Sequence, residues 1–170
     1  FIVVLKIDYN TWKNFLVSRN RGVDKKIDLI NYYSAEKYPL ENSVLLDLNY
    51  AELFSSNSTT FEKLHQTEWE KEVEIQPNFV LKKIKTDLKI FQSEPVFDLI
   101  YFDAFGPRVQ PELWEKTILQ NMYDALRPNG VWVTYSCKGS VRRDLIDIGF
   151  HVEKIPGPPG KREMLRAVKL

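Results

Sequence analysis

Three acidic side chains each follow a stretch of sequence that is typical of a buried β-strand. Glu36, Asp87 and Asp103 come after apolar runs that begin near residues 27, 79 and 96. In an open α/β sheet the carboxyl ends of parallel strands meet at one edge, and ligands bind in the crevice outside that edge. Carboxylates there can accept hydrogen bonds from hydroxyls and amines, or take a proton. The spacing predicts an acidic ligand site, although each acid could instead cap a surface turn.

The segment VFDLIYFDAFGP, from Val96 to Pro107, carries the strongest of these indications. Its residues 97–102 form a nearly continuous apolar run, which is expected of a parallel strand that is covered on both faces. Gly106 and Pro107 then break the strand. Asp103 is predicted to lie at the carboxyl edge of this strand, either as a site residue or as a loop cap, and the segment alone does not decide between the two.

Strands that alternate with helices are predicted to position these acids. Strands are indicated by β-branched and aromatic runs, and helices by apolar residues three and four positions apart. The predicted strands cover residues 1–7, 27–33, 79–84, 97–102, 131–136, 150–155 and 162–168. The predicted helices cover residues 11–19, much of 44–72, 111–126 and 140–148. This order predicts an α/β fold: a doubly wound, mostly parallel seven-stranded sheet with a C-terminal antiparallel hairpin.

Length and composition indicate a single domain over residues 1–170. The chain has 170 residues, of which 44% are hydrophobic, and this suffices for one core but is short for two. Because it has neither an apolar run of about 18 residues nor a signal-peptide pattern, we expect a cytoplasmic protein with no membrane contact. Cys137 is the only cysteine and no Cys/His cluster is present, so no disulfide and no metal site are expected. The start at Phe1 leads us to expect a missing upstream segment.

The net charge of +1 is unevenly distributed along the chain. Residues 138–170 hold eight Lys and Arg against four Asp and Glu, which gives this end a charge of +4 and leaves −3 for residues 1–137. A basic end of this kind can attract phosphates, but a solvated surface produces the same pattern.

Several motifs resemble those of one family. FDAFGPRVQPELW, from Phe102 to Trp114, resembles its D-G/A-F-x-P-x-x-x-P-x-x-W signature, and GPPGKREMLRA, from Gly157 to Ala167, resembles its C-terminal ending. AEKYPL at residues 35–40 and CKGSVRRDLIDIGF at residues 137–150 are similar to further segments. The family is that of the MnmC-like methyltransferases, which complete 5-methylaminomethyl-2-thiouridine at the wobble position of tRNA. The resemblance covers nearly the whole chain and implies a Rossmann-like methyltransferase fold.

The resemblance implies that S-adenosylmethionine is the cofactor and gives each acid a role. Glu36 would bind both ribose hydroxyls, and Asp87 would accept a hydrogen bond from the adenine amine while the Leu88 amide donates to the ring. Asp103 would be the catalytic residue, which lies beside the methyl donor, orients the substrate amine and takes its proton. The implied cofactor-binding residues are Ile7, Asp8, Asn10, Glu36, Lys37, Asp87, Leu88 and Asp103.

The resemblance also implies a partner, the anticodon loop of tRNA. The aminomethyl group of the wobble uridine would be methylated, with an aromatic ring against the base and cations against the phosphates. The implied substrate-binding residues are Phe105, Arg142, Arg143, Lys161 and Arg162. Trp114 would either wall the base or pack in the core. No flavin-dependent oxidase domain is recognisable in the sequence, so a separate oxidase would have to supply the amine substrate.

One segment departs from the family pattern. The glycine-rich turn of the family, E-x-G-F-G-T-G-L-N, corresponds to residues 6–14, where Asp8, Asn10 and Trp12 replace the glycines. A side chain at each position would obstruct the close approach of the backbone to the cofactor, although Asn10 is among the residues that tolerate a left-handed conformation. Either this copy has diverged and binds the cofactor weakly or not at all, or the sequence near its start is incomplete.

The sequence leaves three functions open. A tRNA-modifying methyltransferase is the leading one, because the two most specific motifs belong to that family. A catalytically inactive protein of this fold, acting as an RNA-binding or assembly module, is the alternative that the missing glycines favour. A third is the transfer of a methyl or aminopropyl group to a small amine.

Overall fold

The structure is a computed structural model that describes residues 2–7, 29–41, 44, 58–157 and 160–170. The strands in this part of the chain are β1 (Ile2–Ile7), β2 (Ile30–Glu36), β3 (Glu72–Gln76), β4 (Phe79–Lys85), β5 (Phe97–Phe102), β6 (Leu126–Thr134), β7 (Phe150–Pro156) and β8 (Glu163–Lys169). The helices are α1 (Ser58–Gln66), α2 (Lys116–Ala125) and α3 (Gly139–Ile148), with a 3-10 helix over Pro111–Trp114. The predicted α/β class is confirmed.

All eight of these strands form one sheet in the order β3-β4-β2-β1-β5-β6-β8-β7. The five central strands, β4, β2, β1, β5 and β6, are parallel to one another. β3 is antiparallel to β4, and β8 is antiparallel to both β6 and β7. The antiparallel C-terminal hairpin is therefore confirmed. The strand order reverses at β1, and such a reversal opens a crevice for ligands outside the carboxyl ends of the strands.

The predicted count of seven strands is wrong, because β3 is an additional edge strand. The helical pattern predicted for residues 44–72 ends at Gln66, and Glu72–Gln76 pairs antiparallel with β4. Val73 and Ile75 point inward, whereas Glu72 and Glu74 are exposed. Charged side chains on an edge strand discourage pairing with other chains. The alternation over these five residues is a strand pattern that the sequence prediction missed.

Two further boundaries differ from the prediction. The predicted helix over residues 111–126 is divided at Glu115 into the 3-10 helix and α2. β6 begins at Leu126 instead of Val131, since residues 127–130 form an irregularity between two ladder pairs with β5. Asn129 has a φ of 65° there, which asparagine tolerates better than most residues. The helix predicted for residues 11–19 lies outside the described residues.

An aromatic cluster fixes the end of β5. Phe102, the last residue of the strand, packs edge-on against Trp114 with ring centroids 5.0 Å apart, and against Trp132 of β6 at 5.3 Å. All three rings are buried, and α2 covers them with the apolar side chains of Ile118 and Met122. Ring pairs of this kind add roughly 0.5–1.5 kcal/mol beyond the burial of their area. The residue after Phe102 therefore leaves the sheet from a rigid position.

A buried lysine ties α1 to the sheet. Lys83 of β4 is only 7% exposed, and its Nζ donates to the carbonyl oxygen of His65 at 2.6 Å, near the end of α1. The same ammonium group lies 5.0 Å from the ring centroid of Trp69. Burial lowers the pKa of Lys83 to about 8. Although the cation interacts favourably with the last carbonyls of the helix, its desolvation is costly.

We predict that Lys83 makes the free energy of unfolding rise with pH. Its pKa is about 8 in the folded chain and about 10.4 in an unfolded one, so the unfolded chain binds more protons between these values. Between pH 7.5 and 9.5, chemical denaturation should show the wild type gaining about 2 kcal/mol relative to Lys83→Met. Parallel changes in the two proteins would contradict this role.

Candidate functional site

The register of the parallel strands brings two of the predicted acids to one level of the sheet edge. Ile7, the last residue of β1, is paired with Ala35 on one side and with Phe102 on the other. Glu36 and Asp103 each follow one of these partners. Because two strand spacings separate β2 from β5, the two acids leave the sheet about 10 Å apart. The acidic edge predicted from the sequence is present.

β4 ends beside β2 and extends this edge. Glu36 is paired with Lys85, the last residue of β4, and the amide of Thr86 donates to the Glu36 carbonyl at 3.0 Å. The Glu36 carboxylate is also oriented, since its Oε1 accepts a hydrogen bond from the amide of Tyr38 at 2.9 Å. A carboxylate that accepts one hydrogen bond has further lone pairs, so it can still accept from hydroxyl groups.

Asp87 joins the edge through an ion pair. Its Oδ2 lies 2.8 Å from Nζ of Lys37, and its Oδ1 accepts the amide of Lys89 at 3.0 Å. The hydrogen bond from Lys37 lowers the pKa of Asp87 most, and the Lys89 amide adds to this, while the same pair raises the pKa of Lys37 to about 12. Asp87 therefore stays ionised as an acceptor. Leu88, the next residue, is buried in the core, which fixes the backbone that carries its amide.

Asp103 is exposed and begins a loop, residues 103–106, which we call the Asp103 loop. Two side chains from other elements hold it. Nε1 of Trp114 donates to the carbonyl oxygen of Phe105 at 2.8 Å, and the hydroxyl of Tyr135 donates to that of Ala104 at 2.8 Å. Consecutive carbonyl groups are thus satisfied without a strand partner, and they fix the backbone beside the Asp103 carboxylate.

The two aromatic residues of this motif have different surroundings. Trp114 is 5% exposed and uses its Nε1 in the loop contact, so it packs in the core and does not wall a substrate base. Phe105 is 72% exposed. An exposed ring beside Asp103 is available to a ligand that approaches this edge.

The C-terminal hairpin brings cations to the opposite side of Asp103. β8 runs antiparallel to β6, with Leu165 paired with Thr134, so the start of β8 lies at the carboxyl end of β6. Lys161 and Arg162 precede β8 and are exposed there. Nζ of Lys161 lies 4.0 Å from the ring centroid of Tyr135. This turn is therefore next to the Asp103 loop.

The start of α3 adds two more cations to this side. α3 begins at Gly139, five residues after the end of β6, and its first turn therefore lies near the same edge. Arg142 at the end of this turn and Arg143 directly after it are exposed.

Beside β2 and β4 the edge offers the carboxylates of Glu36 and Asp87, the second of which is paired with Lys37, and we call this stretch the acidic half after its carboxylates. The stretch beside β6 and β8, with the exposed cations just described, is the basic half, and Asp103 lies between the two.

Part of the predicted cofactor site lies outside the described residues. Ile7 is described as the end of β1, whereas Asp8, Asn10 and Trp12 are not. In the ranges that the structure describes, no three His, Cys, Asp or Glu side chains are grouped so as to hold a metal ion. No helix among the same residues is long and apolar enough to cross a membrane.

Tyr135 is absent from the site residues predicted from the sequence. The predicted strand over residues 131–136 includes it, whereas β6 ends at Thr134 in the structure. Tyr135 thus follows β6 as Asp103 follows β5, and Tyr101 of β5 is paired with Val133 of β6. Because neighbouring parallel strands end at the same edge, an earlier strand end in the prediction would have placed Tyr135 beside the three acids.

Comparison with known proteins leads to one family. Residues 49–170 match the sequence profile of a family described as S-adenosyl-L-methionine-dependent methyltransferase. Two curated relatives are named tRNA 5-methylaminomethyl-2-thiouridine biosynthesis bifunctional protein MnmC. The relative from Paracidovorax citrulli is 42% identical over 76 residues, which cover 45% of this chain and 12% of the relative. The relative from Vibrio cholerae is 28% identical, and the match covers 91% of this chain and 24% of the relative.

A solved structure has a similar fold. The crystal structure of MnmC2 from Aquifex aeolicus matches 98% of this chain with a TM-score of 0.69 and 25% identity. The match covers 52% of that structure. The chain therefore spans about half of the solved protein, and a quarter or less of these two curated relatives.

We predict that Trp114→Phe loosens the Asp103 loop and that Trp132→Phe does not. Both indoles are buried against Phe102, but Nε1 of Trp132 has no hydrogen-bond partner in the described part of the chain. Only Trp114→Phe removes a hydrogen bond from the loop. The loss of this bond should make local opening of the loop about fivefold faster. Amide hydrogen exchange of residues 103–106 measures this effect. Equal protection in the two variants would show that Trp114 is not an anchor.

Proposed function

Because this chain belongs to the S-adenosyl-L-methionine-dependent methyltransferase family, we propose that it methylates the aminomethyl group of the wobble uridine in tRNA. The product of 5-aminomethyl-2-thiouridine would be 5-methylaminomethyl-2-thiouridine, the nucleoside in the names of the curated relatives. The observation that carries the proposal is the position of Asp103 between an acidic and a basic half of one sheet edge. A cofactor on the acidic half and RNA on the basic half would meet there.

The acidic half suits an adenosine group. Glu36 offers carboxylate oxygens to ribose hydroxyls, and Asp87, kept ionised by Lys37, offers them to the adenine amine. The Leu88 amide and the end of β1 at Ile7 complete the described part of this surface. The acids lie on adjacent strands, as one ligand that contacts both would require.

Asp103 is assigned to bind and deprotonate the substrate amine. When bound, S-adenosylmethionine supplies a methyl group, which the amine nitrogen takes with its lone pair while the electrons of the carbon–sulfur bond stay on sulfur. Asp103 accepts a hydrogen bond from the amine, orients the lone pair and takes the proton that the nitrogen loses. Because the Asp103 loop is held on two carbonyls, this orientation is set before the substrate arrives.

The basic half is assigned to the anticodon loop. The exposed ring of Phe105 stacks on the target base, since RNA bases that leave their stack are bound by aromatic side chains. Arg142, Arg143, Lys161 and Arg162 contact phosphates, which makes the affinity depend on salt. A flavin-dependent oxidase would generate the amine that this reaction consumes.

A catalytically inactive RNA-binding or assembly module is the second candidate. Asp8, Asn10 and Trp12 stand where the family has glycines, and side chains there would restrict the approach of a cofactor to the backbone. In that case the basic half of the edge retains its role and the acidic half does not.

A methylation assay separates the two candidates. The protein is incubated with S-adenosylmethionine and tRNA that carries 5-aminomethyl-2-thiouridine, and the nucleosides are analysed by mass spectrometry after digestion. The proposed enzyme converts this nucleoside into its methylated product. Binding of the tRNA without any conversion would support the inactive module and overturn the proposal.

We predict that Asp103→Asn lowers kcat by about 100-fold, as expected for the loss of a general base. The affinity for S-adenosylmethionine, measured by calorimetry, should fall far less than kcat, because Glu36 and Asp87 still bind the adenosine part. Asp124→Asn, the same change on an exposed residue of α2, serves as the control and should be neutral. Undiminished turnover by Asp103→Asn would remove this residue from the mechanism.

We predict that Lys37→Met shifts the acid limit of cofactor binding to higher pH. Lys37 holds the pKa of Asp87 below its ordinary value, and only the ionised carboxylate accepts from the adenine amine without restriction. Without Lys37, Asp87 is protonated at a higher pH and the affinity declines earlier on acidification. Calorimetric titrations with S-adenosylmethionine between pH 7 and 4 measure the shift. Lys71→Met, at an exposed lysine paired with Glu68, is the control, and coincident curves would refute the prediction.

A further inference from the structure

The hydroxyl of Tyr135 holds the Asp103 loop. Tyr135 is the first residue after β6, and its hydroxyl donates to the Ala104 carbonyl at 2.8 Å. The hydroxyl also faces Gly106, where an added Cβ atom would meet it at 3.5 Å. The hydrogen bond restrains the peptide group that follows Ala104, one residue after Asp103, and so limits the backbone conformations from which the Asp103 carboxylate projects.

The loop beyond these contacts is closed by its own backbone. The carbonyl oxygen of Gly106 accepts the amides of Val109 at 2.8 Å and of Gln110 at 3.0 Å. Trp114 holds the Phe105 carbonyl from the core side. Tyr135 is the anchor that reaches the loop from β6, the strand on the basic side of the edge.

The ring of Tyr135 also carries a cation. Nζ of Lys161 lies 4.0 Å from the ring centroid, within the range in which a cation is attracted to an aromatic face. Lys161 is exposed and belongs to the basic residues assigned above to the RNA. One side chain therefore contacts the Asp103 loop through its hydroxyl and the basic turn through its ring.

We propose that Tyr135 is a positioning residue that sets Asp103 and Lys161 relative to each other, so that the substrate amine and the RNA phosphate are placed by the same side chain. This inference rests on the proposed function. The hydroxyl positions the Asp103 loop for methyl transfer. The ring orients Lys161 toward the phosphate. The two roles are separable, because a phenylalanine keeps the ring and loses the hydroxyl.

The kinetic test uses this separation, with steady-state methylation of the tRNA substrate by the full chain. Tyr135→Phe should lower kcat about tenfold, as expected for a misplaced catalytic group, and leave KM for tRNA within twofold. Tyr135→Leu should lower kcat and also raise KM several-fold, because Lys161 loses its contact with the aromatic ring. Lys161→Gln should raise KM with kcat within twofold. For Tyr135→Phe, an unchanged kcat, or an effect confined to KM, would overturn the proposal.

Two control variants match these changes chemically. Tyr123→Phe removes a hydroxyl from a tyrosine of α2 that also carries a lysine, Lys169, at 4.6 Å from its ring centroid. Lys154→Gln removes a charge from the same hairpin at a lysine paired with Glu163. Both controls should retain wild-type kinetics. If Tyr123→Phe lowered kcat as much as Tyr135→Phe, general destabilisation would explain both effects, and this result would contradict the positioning role.

Amide hydrogen exchange distinguishes this inference from the proposed function. Tyr135→Phe should accelerate exchange in residues 103–106 several-fold and leave the amides of β5 unchanged. If the wild type methylates no tRNA, the proposed function fails, and the positioning of a catalytic Asp103 fails with it. In that case the exchange data still test whether the Tyr135 hydroxyl holds the loop. Unchanged protection of the loop in Tyr135→Phe would show that the hydroxyl does not hold it, whatever the activity.

Discussion

The pairing of β1 with both of its neighbours is the constraint on which the site depends. Ile7 is paired with Ala35 and with Phe102, so Glu36 and Asp103 leave the sheet at the same level, on either side of β1. A slip of one residue would turn every side chain of a strand to the other face and would separate the acids. Fully buried residues in the adjacent strands oppose such a slip. The geometry of the site is thus a consequence of packing in the sheet.

The edge that results has the carboxylates of Glu36 and Asp87 on one side, exposed cations of the C-terminal part on the other, and one rigid loop between them. Strand order places the Lys37–Asp87 pair to one side of Asp103 and Lys161 to the other. In the part of the chain that the structure describes, Trp114 and Tyr135 are the side chains that donate to carbonyl groups of the loop, which lies outside the strands. Aromatic side chains, buried or half-buried, therefore donate the hydrogen bonds that a neighbouring strand donates elsewhere in the sheet.

The sequence predicted the elements whose patterns are local. The strand before Asp103 and the helix that stops at Gly149, which has a φ of 116°, both agree with the structure. β3 was not predicted, although its glutamates alternate with Val73 and Ile75, because an alternation over five residues is short and directly follows a longer helical pattern. The roles of Trp114 and Tyr135 depend on contacts with residues that are distant in the sequence, and periodicity holds no information about such hydrogen bonds.

The central claim is that the acids after β2, β4 and β5 form one cofactor site beside the Asp103 loop. Backbone amide shifts of the isotope-labelled full chain, recorded during titration with S-adenosylhomocysteine, test it most directly. The account predicts saturable shifts at residues 36–38, 86–88 and 103–106, with β3 and β7 unaffected. Saturation with shifts confined to other parts of the chain, or no shifts at millimolar ligand, would contradict it.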